Sequence, residues 1–79
     1  MDFEDLAKIA VDCGFGLHKE IGPGLLESVY EALLAEALRE RGLAVERQVA
    51  VPIRYKSLVL DNAFRVDLLV ERMLVIELK

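Results

Sequence analysis

Tryptophan is absent from the 79 residues, and cysteine occurs once, proline twice and glycine five times. The single cysteine, Cys13, cannot close an internal disulfide, and that usage fits a reducing compartment. One cysteine and one histidine also cannot furnish a closed structural zinc site. Scarce proline and glycine, with no internal repeat and no low-complexity tract, exclude collagen, solenoids and long linkers. No apolar run approaches the roughly 18 residues of a membrane span. The start Met1-Asp2-Phe3-Glu4-Asp5 is acidic where a secretory signal is basic. Together these absences predict a cytoplasmic protein with no membrane partner. Positive charge is in deficit as well. Ten Lys plus Arg against fourteen Asp plus Glu leave a net charge of −4, which argues against passive coating of a phosphate backbone. A metal-assisted site acting on a phosphodiester is compatible with it.

What the chain does contain is material for a core. Hydrophobic residues make up 54% and charged residues 30%, with mean hydropathy +0.34, so composition excludes disorder. A domain this short buries only about 60% of its unfolded surface. Its apolar fraction nevertheless slightly exceeds the usual value, so a homo-oligomer is expected.

From Asp2 to about Ile21, the apolar residues Phe3, Leu6, Ile9, Ala10, Cys13, Leu17 and Ile21 recur at steps of three and four. This pattern predicts an amphipathic helix, weakened by Gly14 and Gly16. Cys13 reads as a packing residue, and His18 as a structural group near the helix end. Gly22-Pro23-Gly24 supplies a sharp connection to a second helix. There Leu26, Val29, Tyr30, Leu33, Leu34, Ala37 and Leu38 keep the helical period to Arg41, with Gly42 at the C-terminal capping position. Tyr30 reads as a core residue with its hydroxyl hydrogen-bonded. Val45 to Tyr55 is rich in β-formers, and Pro52 within it predicts an edge strand or a bulge. Leu58 to Leu60 extends or pairs locally, Asp61-Asn62 signals a turn, and Phe64–Val70 and Leu74–Lys79 form two further strands around Glu71-Arg72-Met73. The predicted class is α+β, two N-terminal helices followed by a three-stranded antiparallel meander.

The last two strands permit register arithmetic. Phe64, Val66, Leu68 and Val70 share one face, as do Leu74, Ile76 and Leu78. Keeping both faces on one core pairs Val70 with Leu74, Leu68 with Ile76 and Val66 with Leu78. The same register sets Asp67 across from Glu77, and two facing carboxylates repel unless a cation lies between them. A hard divalent cation such as Mg²⁺ is held by carboxylate oxygens and activates water for phosphodiester hydrolysis. Lys79 shares a face with Glu77, where an ammonium positions water or offsets developing charge. Glu27, in the first turn of helix two, is a third acid if that turn packs over the sheet.

Gly22-Pro23-Gly24-Leu25-Leu26-Glu27-Ser28-Val29-Tyr30, preceded by His18, resembles the signature of the GxxExxY proteins. These are small bacterial and archaeal proteins of the PD-(D/E)xK nuclease superfamily, and Gly24, Glu27 and Tyr30 fill the signature's three defining positions. Arg65-Val66-Asp67-Leu68-Leu69-Val70 and Val75-Ile76-Glu77-Leu78-Lys79 resemble the superfamily's metal-binding strand and its ExK strand. Val45-Glu46-Arg47-Gln48-Val49 is typical of the segment between. The resemblance spans nearly the whole chain from about His18. It implies the N-terminal part of a restriction-endonuclease-like αβββαβ core whose first helix is helix two here. It further implies that Glu27 is the helix acid, that Asp67 and Glu77 are metal ligands with the Leu78 carbonyl contributing, and that Lys79 is the catalytic lysine. The implied cofactor is Mg²⁺ or Mn²⁺. The family continues past the ExK strand, so residues 1–79 read as a single domain truncated after that strand.

Two functions follow. One is a Mg-dependent nuclease that hydrolyses DNA or RNA phosphodiesters through a metal-activated water. The alternative is a catalytically inactive oligomerisation or interaction module on the same scaffold, associating through the exposed edge of its last strand.

Overall fold

The computed structural model describes residues 1–78, with the elements α1 (Phe3–Ile21), α2 (Glu27–Glu40), β1 (Val45–Tyr55), β2 (Leu58–Val70) and β3 (Leu74–Ile76). α1 begins at Asp2 because two short acids satisfy each other's backbone. The Asp2 carboxylate accepts from the Asp5 N–H at 2.9 Å, and the Asp5 carboxylate accepts from the Asp2 N–H at 3.3 Å. Gly14 and Gly16 do not interrupt the helix, which buries Leu6 and Cys13. Gly22 and Gly24 then turn the chain at φ 82° and 100°, a region that costs an L-residue roughly 1–2 kcal/mol. At the far end of α2, Gly42 at φ 83° lets its own N–H reach the Arg39 carbonyl and the Leu43 N–H reach that of Leu38, giving two carbonyls of the last turn a partner.

The buried face of α2 differs from the predicted stripe. Glu31, Leu34, Ala35 and Leu38 are buried, whereas Leu26 and Val29 are exposed. The helix is rotated toward Glu31 because two polar side chains of β1 meet that carboxylate, and because the small Ala35 lies fully buried in the core beside Leu34 and Leu38.

The sheet is antiparallel throughout, in the order β1-β2-β3. Pro52 lies on the edge strand β1, at a register shift between Val51 and Ile53, so both features expected of it occur together. The expected turn at Asp61-Asn62 does not form. The chain reverses at Lys56-Ser57, with Lys56 at φ 55°, and Leu58 to Leu60 pair with Tyr55 to Ile53 as the first part of an uninterrupted β2. The second reversal falls where expected, at Glu71 to Met73. Glu71 and Arg72 adopt φ 54° and 51°, held by the Glu71 N–H on the Ala44 carbonyl at 2.8 Å and by the Ala44 N–H on the Glu71 carboxylate at 2.6 Å. Val70↔Leu74 and Leu68↔Ile76 pair as derived, but Val66 and Leu78 do not continue the ladder. β3 stops at Ile76 because the next available N–H, that of Leu78, goes to the Asp67 carboxylate.

Alternation along β2 places Val66, Leu68 and Val70 toward the helices, where Leu68 and Val70 join Leu6, Leu34, Leu38 and Leu43 in the core. Past Val49 and Val66 the strands emerge from beneath the helices, and nearly every residue out to the Lys56-Ser57 turn is exposed. The β1–β2 hairpin thus ends in an arm, and the molecule measures 48 × 31 × 16 Å.

Candidate active site

Asp67 sits on the central strand, half-buried, on the face opposite the core. Its Oδ2 accepts the Leu78 N–H at 2.7 Å, and its Oδ1 lies 3.5 Å from the Gln48 amide nitrogen. The first bond exists because the chain leaves the ladder after Ile76 and frees that amide. Its consequence is a physical tie between the Asp67 strand and the Glu77-Leu78 segment. A carboxylate held by a backbone N–H is fixed in direction while each oxygen keeps lone-pair capacity for another partner.

Glu77 lies one residue beyond Ile76, where the ladder has ended, so the expected pairing of Asp67 with Glu77 does not form, and Glu77 is exposed. Glu27 is the first residue of α2 and is also exposed. It borders an open groove of about 520 Å³ formed by the Gly22–Leu26 connection, Tyr30 and Leu78. Leu78 therefore belongs to both, with its N–H on Asp67 and a place in the lining of the groove that Glu27 borders. Among the described residues, no three His, Cys, Asp or Glu side chains gather about one point. Asp67 and Leu78 are brought together, and Glu27 and Leu78 border the same groove, while Glu27, Asp67 and Glu77 do not converge. Lys79 lies outside the described residues.

Two further residues have structural roles. The Tyr30 hydroxyl donates to the Gly14 carbonyl at 2.9 Å and joins α2 to α1, as expected of a core tyrosine. His18 is exposed in the last turn of α1, where its carbonyl accepts the Gly22 N–H at 2.7 Å.

Glu31 is the residue that sequence reasoning missed. It is only 4% exposed, and its carboxylate accepts from Arg47 Nε at 3.0 Å and Gln48 Nε2 at 2.7 Å. A buried acid requires such partners. The available signal was positional, since Glu31, Leu34, Ala35 and Leu38 follow the i, i+3, i+4, i+7 spacing of one helix face. Gln48 has φ 53° in the middle of β1 and is skipped by the ladder between Arg47↔Leu68 and Val49↔Val66. This uncommon conformation brings one amide between Glu31 and Asp67.

The donors proposed for a metal, the carboxylates of Glu27, Asp67 and Glu77 and the Leu78 carbonyl, are all oxygens. That set suits a hard divalent ion and not a soft one. No curated protein and no solved structure matches the chain. The family model of the PD-(D/E)XK nuclease superfamily matches residues 4–79. With two helices leading into an antiparallel sheet that carries Asp67 beside the Glu77-Leu78 segment, the chain belongs to the PD-(D/E)XK nuclease superfamily.

Proposed function

We propose that this protein is a divalent-metal-dependent nuclease, acting on nucleic-acid phosphodiester bonds, organised as one domain over residues 1–79. The spacing of Gly24, Glu27 and Tyr30 supports a place among the GxxExxY members of the superfamily. The observation that carries the reading is the 2.7 Å bond between the Leu78 N–H and Asp67, which holds the candidate ligand strand against the Glu77-Leu78 segment. Asp67, Glu77, Glu27 and the Leu78 carbonyl would hold Mg²⁺ or Mn²⁺. When bound, such an ion supplies Lewis acidity and a water acidic enough to attack phosphorus near neutral pH. Asp67 is oriented for this task by Leu78 and, through Gln48, by Glu31. Glu27 borders the groove that Leu78 also lines, and would complete the site from the helix side. Lys79 would offset negative charge developing on the scissile phosphate.

The test is calorimetric titration of Mg²⁺ and Mn²⁺ into the chain, with Asp67→Ala as control and cleavage of single- and double-stranded substrates measured in parallel. The expected result is saturable binding and metal-dependent cleavage, both lost in the variant. Cleavage that persists unchanged in Asp67→Ala and Glu77→Ala would refute the assignment. The second reading, an inactive association module, draws support from the exposed apolar face of the arm, where Ile53, Tyr55, Leu60 and Phe64 are uncovered. It requires a folded oligomer that takes up no metal in either parent or variant.

A further inference from the structure

Positive charge is unevenly placed on this acidic chain. Between residues 47 and 65 the cations Arg47, Arg54, Lys56 and Arg65 stand against a single carboxylate, Asp61. Arg47 is engaged by Glu31. Among the described residues, the side chains of Arg54, Lys56 and Arg65 are in no ion pair and donate no hydrogen bond.

Strand alternation determines where these charges point. The pairs Ala50↔Arg65 and Arg54↔Val59 put Arg54 and Arg65 on the face opposite the core. That is the face of Asp67, two residues beyond Arg65 on the same strand. Ala50 directly across from Arg65, and Ala63 two residues before it, are too short to cover its guanidinium. Lys56 occupies the turn at the tip, its Nζ 5.4 Å from the centre of the Tyr55 ring, a contact that favours keeping the ammonium there. Arg54 and Arg65, with Asp61 between them, therefore mark one flank of the arm leading toward Asp67, and Lys56 stands at its tip. At about 3.4 Å per residue the span from Leu58 to Asp67 is roughly 30 Å.

We infer that this basic flank of the β1–β2 arm is a nucleic-acid grip, contacting backbone phosphates and leading the strand toward Asp67. Its direction rests on the proposed nuclease reading, whereas its binding requires neither metal nor cleavage. Apart from Lys56 at the tip, the opposite flank of the same arm is apolar, so the two arginines select the polyanion.

Anisotropy of a fluorescein-labelled oligonucleotide, single-stranded and duplex, titrated with the chain in EDTA at several salt concentrations, tests this. Three phosphate contacts give a log–log salt slope of about −2 to −3. The Arg54→Gln/Lys56→Gln/Arg65→Gln variant is expected to lose that slope and about tenfold or more in affinity. Its circular dichroism and melting should match the parent, because all three side chains are exposed. Asp67→Asn is expected to bind at least as tightly as the parent, since it removes a negative charge from the phosphate path. Equal binding by the triple variant and the parent would overturn the inference, as would a parent that does not bind. If that non-binding parent sediments as a dimer, the arm is a surface for a second copy instead. If the triple variant loses binding while Asp67→Ala leaves metal uptake and cleavage unchanged, the grip stands and the metal assignment falls.

Discussion

Glu31 shows how a single buried charge organises its surroundings. Its carboxylate is nearly inaccessible, while the Arg47 side chain that pairs with it keeps 39% of its surface in water. The pair is therefore half-screened, and its attraction is well below that of a fully buried ion pair. The larger effect is geometric, because Glu31 holds Gln48 as well, and Gln48 reaches Asp67. Glu31→Ala is expected to lower unfolding stability by about 1–3 kcal/mol in urea melts, by leaving Arg47 and the Gln48 amide without their shared acceptor. Combined with Arg47→Met, the loss should be less than additive, and full additivity would show that the two residues act independently. At this scale the inward set Val66, Leu68 and Val70 was legible in the sequence, because strand alternation is a strict period of two. Glu31 was not, since a helical stripe drawn through apolar residues alone passes beside an acid that shares the buried face. The left-handed Gln48 was equally hidden, because glutamine carries no preference for that conformation.

Among the elements, the boundaries of both helices were readable from their ends. Asp2 caps one, and Gly42 closes the other through the Arg39 and Leu38 carbonyls. Gly42→Ala retains those hydrogen bonds only by forcing a Cβ into φ 83°. No neighbour lies within 4 Å of such a Cβ, so the cost comes from the backbone alone. A loss of about 1–2 kcal/mol is expected, read as a lower urea midpoint with an unchanged slope. A neutral substitution would show that the helix end relaxes. The first hairpin was misread because Asp61-Asn62 has the composition of a turn while Lys56-Ser57 does not. Pairing decided otherwise. A reversal at Lys56 lets Tyr55 face Leu58 and Ile53 face Leu60, which uses both apolar runs, whereas a reversal at Asp61 leaves Leu58 to Leu60 without a strand partner.

For the molecule as a whole, helices cover only one half of the long hairpin, so core and arm are physically different regions. The core is a small cluster around Leu6, Leu34, Leu38, Leu68 and Val70, and the arm adds hydrogen-bonded ladder with little burial. Small domains with this balance have little stability in reserve. Cys13, the only cysteine of the chain, belongs to the core cluster. Its thiol is shielded by the same packing that determines whether the protein is folded, so its chemistry can serve as a clock for the opening of the core. Labelling by a thiol reagent should be slow in the native protein and first order in reagent, at a rate equal to the exposed-thiol rate multiplied by the fraction of molecules open. Leu38→Ala, which removes a fully buried side chain, is expected to cost about 2–5 kcal/mol and to quicken labelling at least thirtyfold, at roughly 1.4 kcal/mol per factor of ten. An unchanged rate would place the opening in fraying of α1 alone, with the rest of the core still closed. One sulfur atom in the right place thus separates a molecule that opens as a unit from one that sheds its first helix.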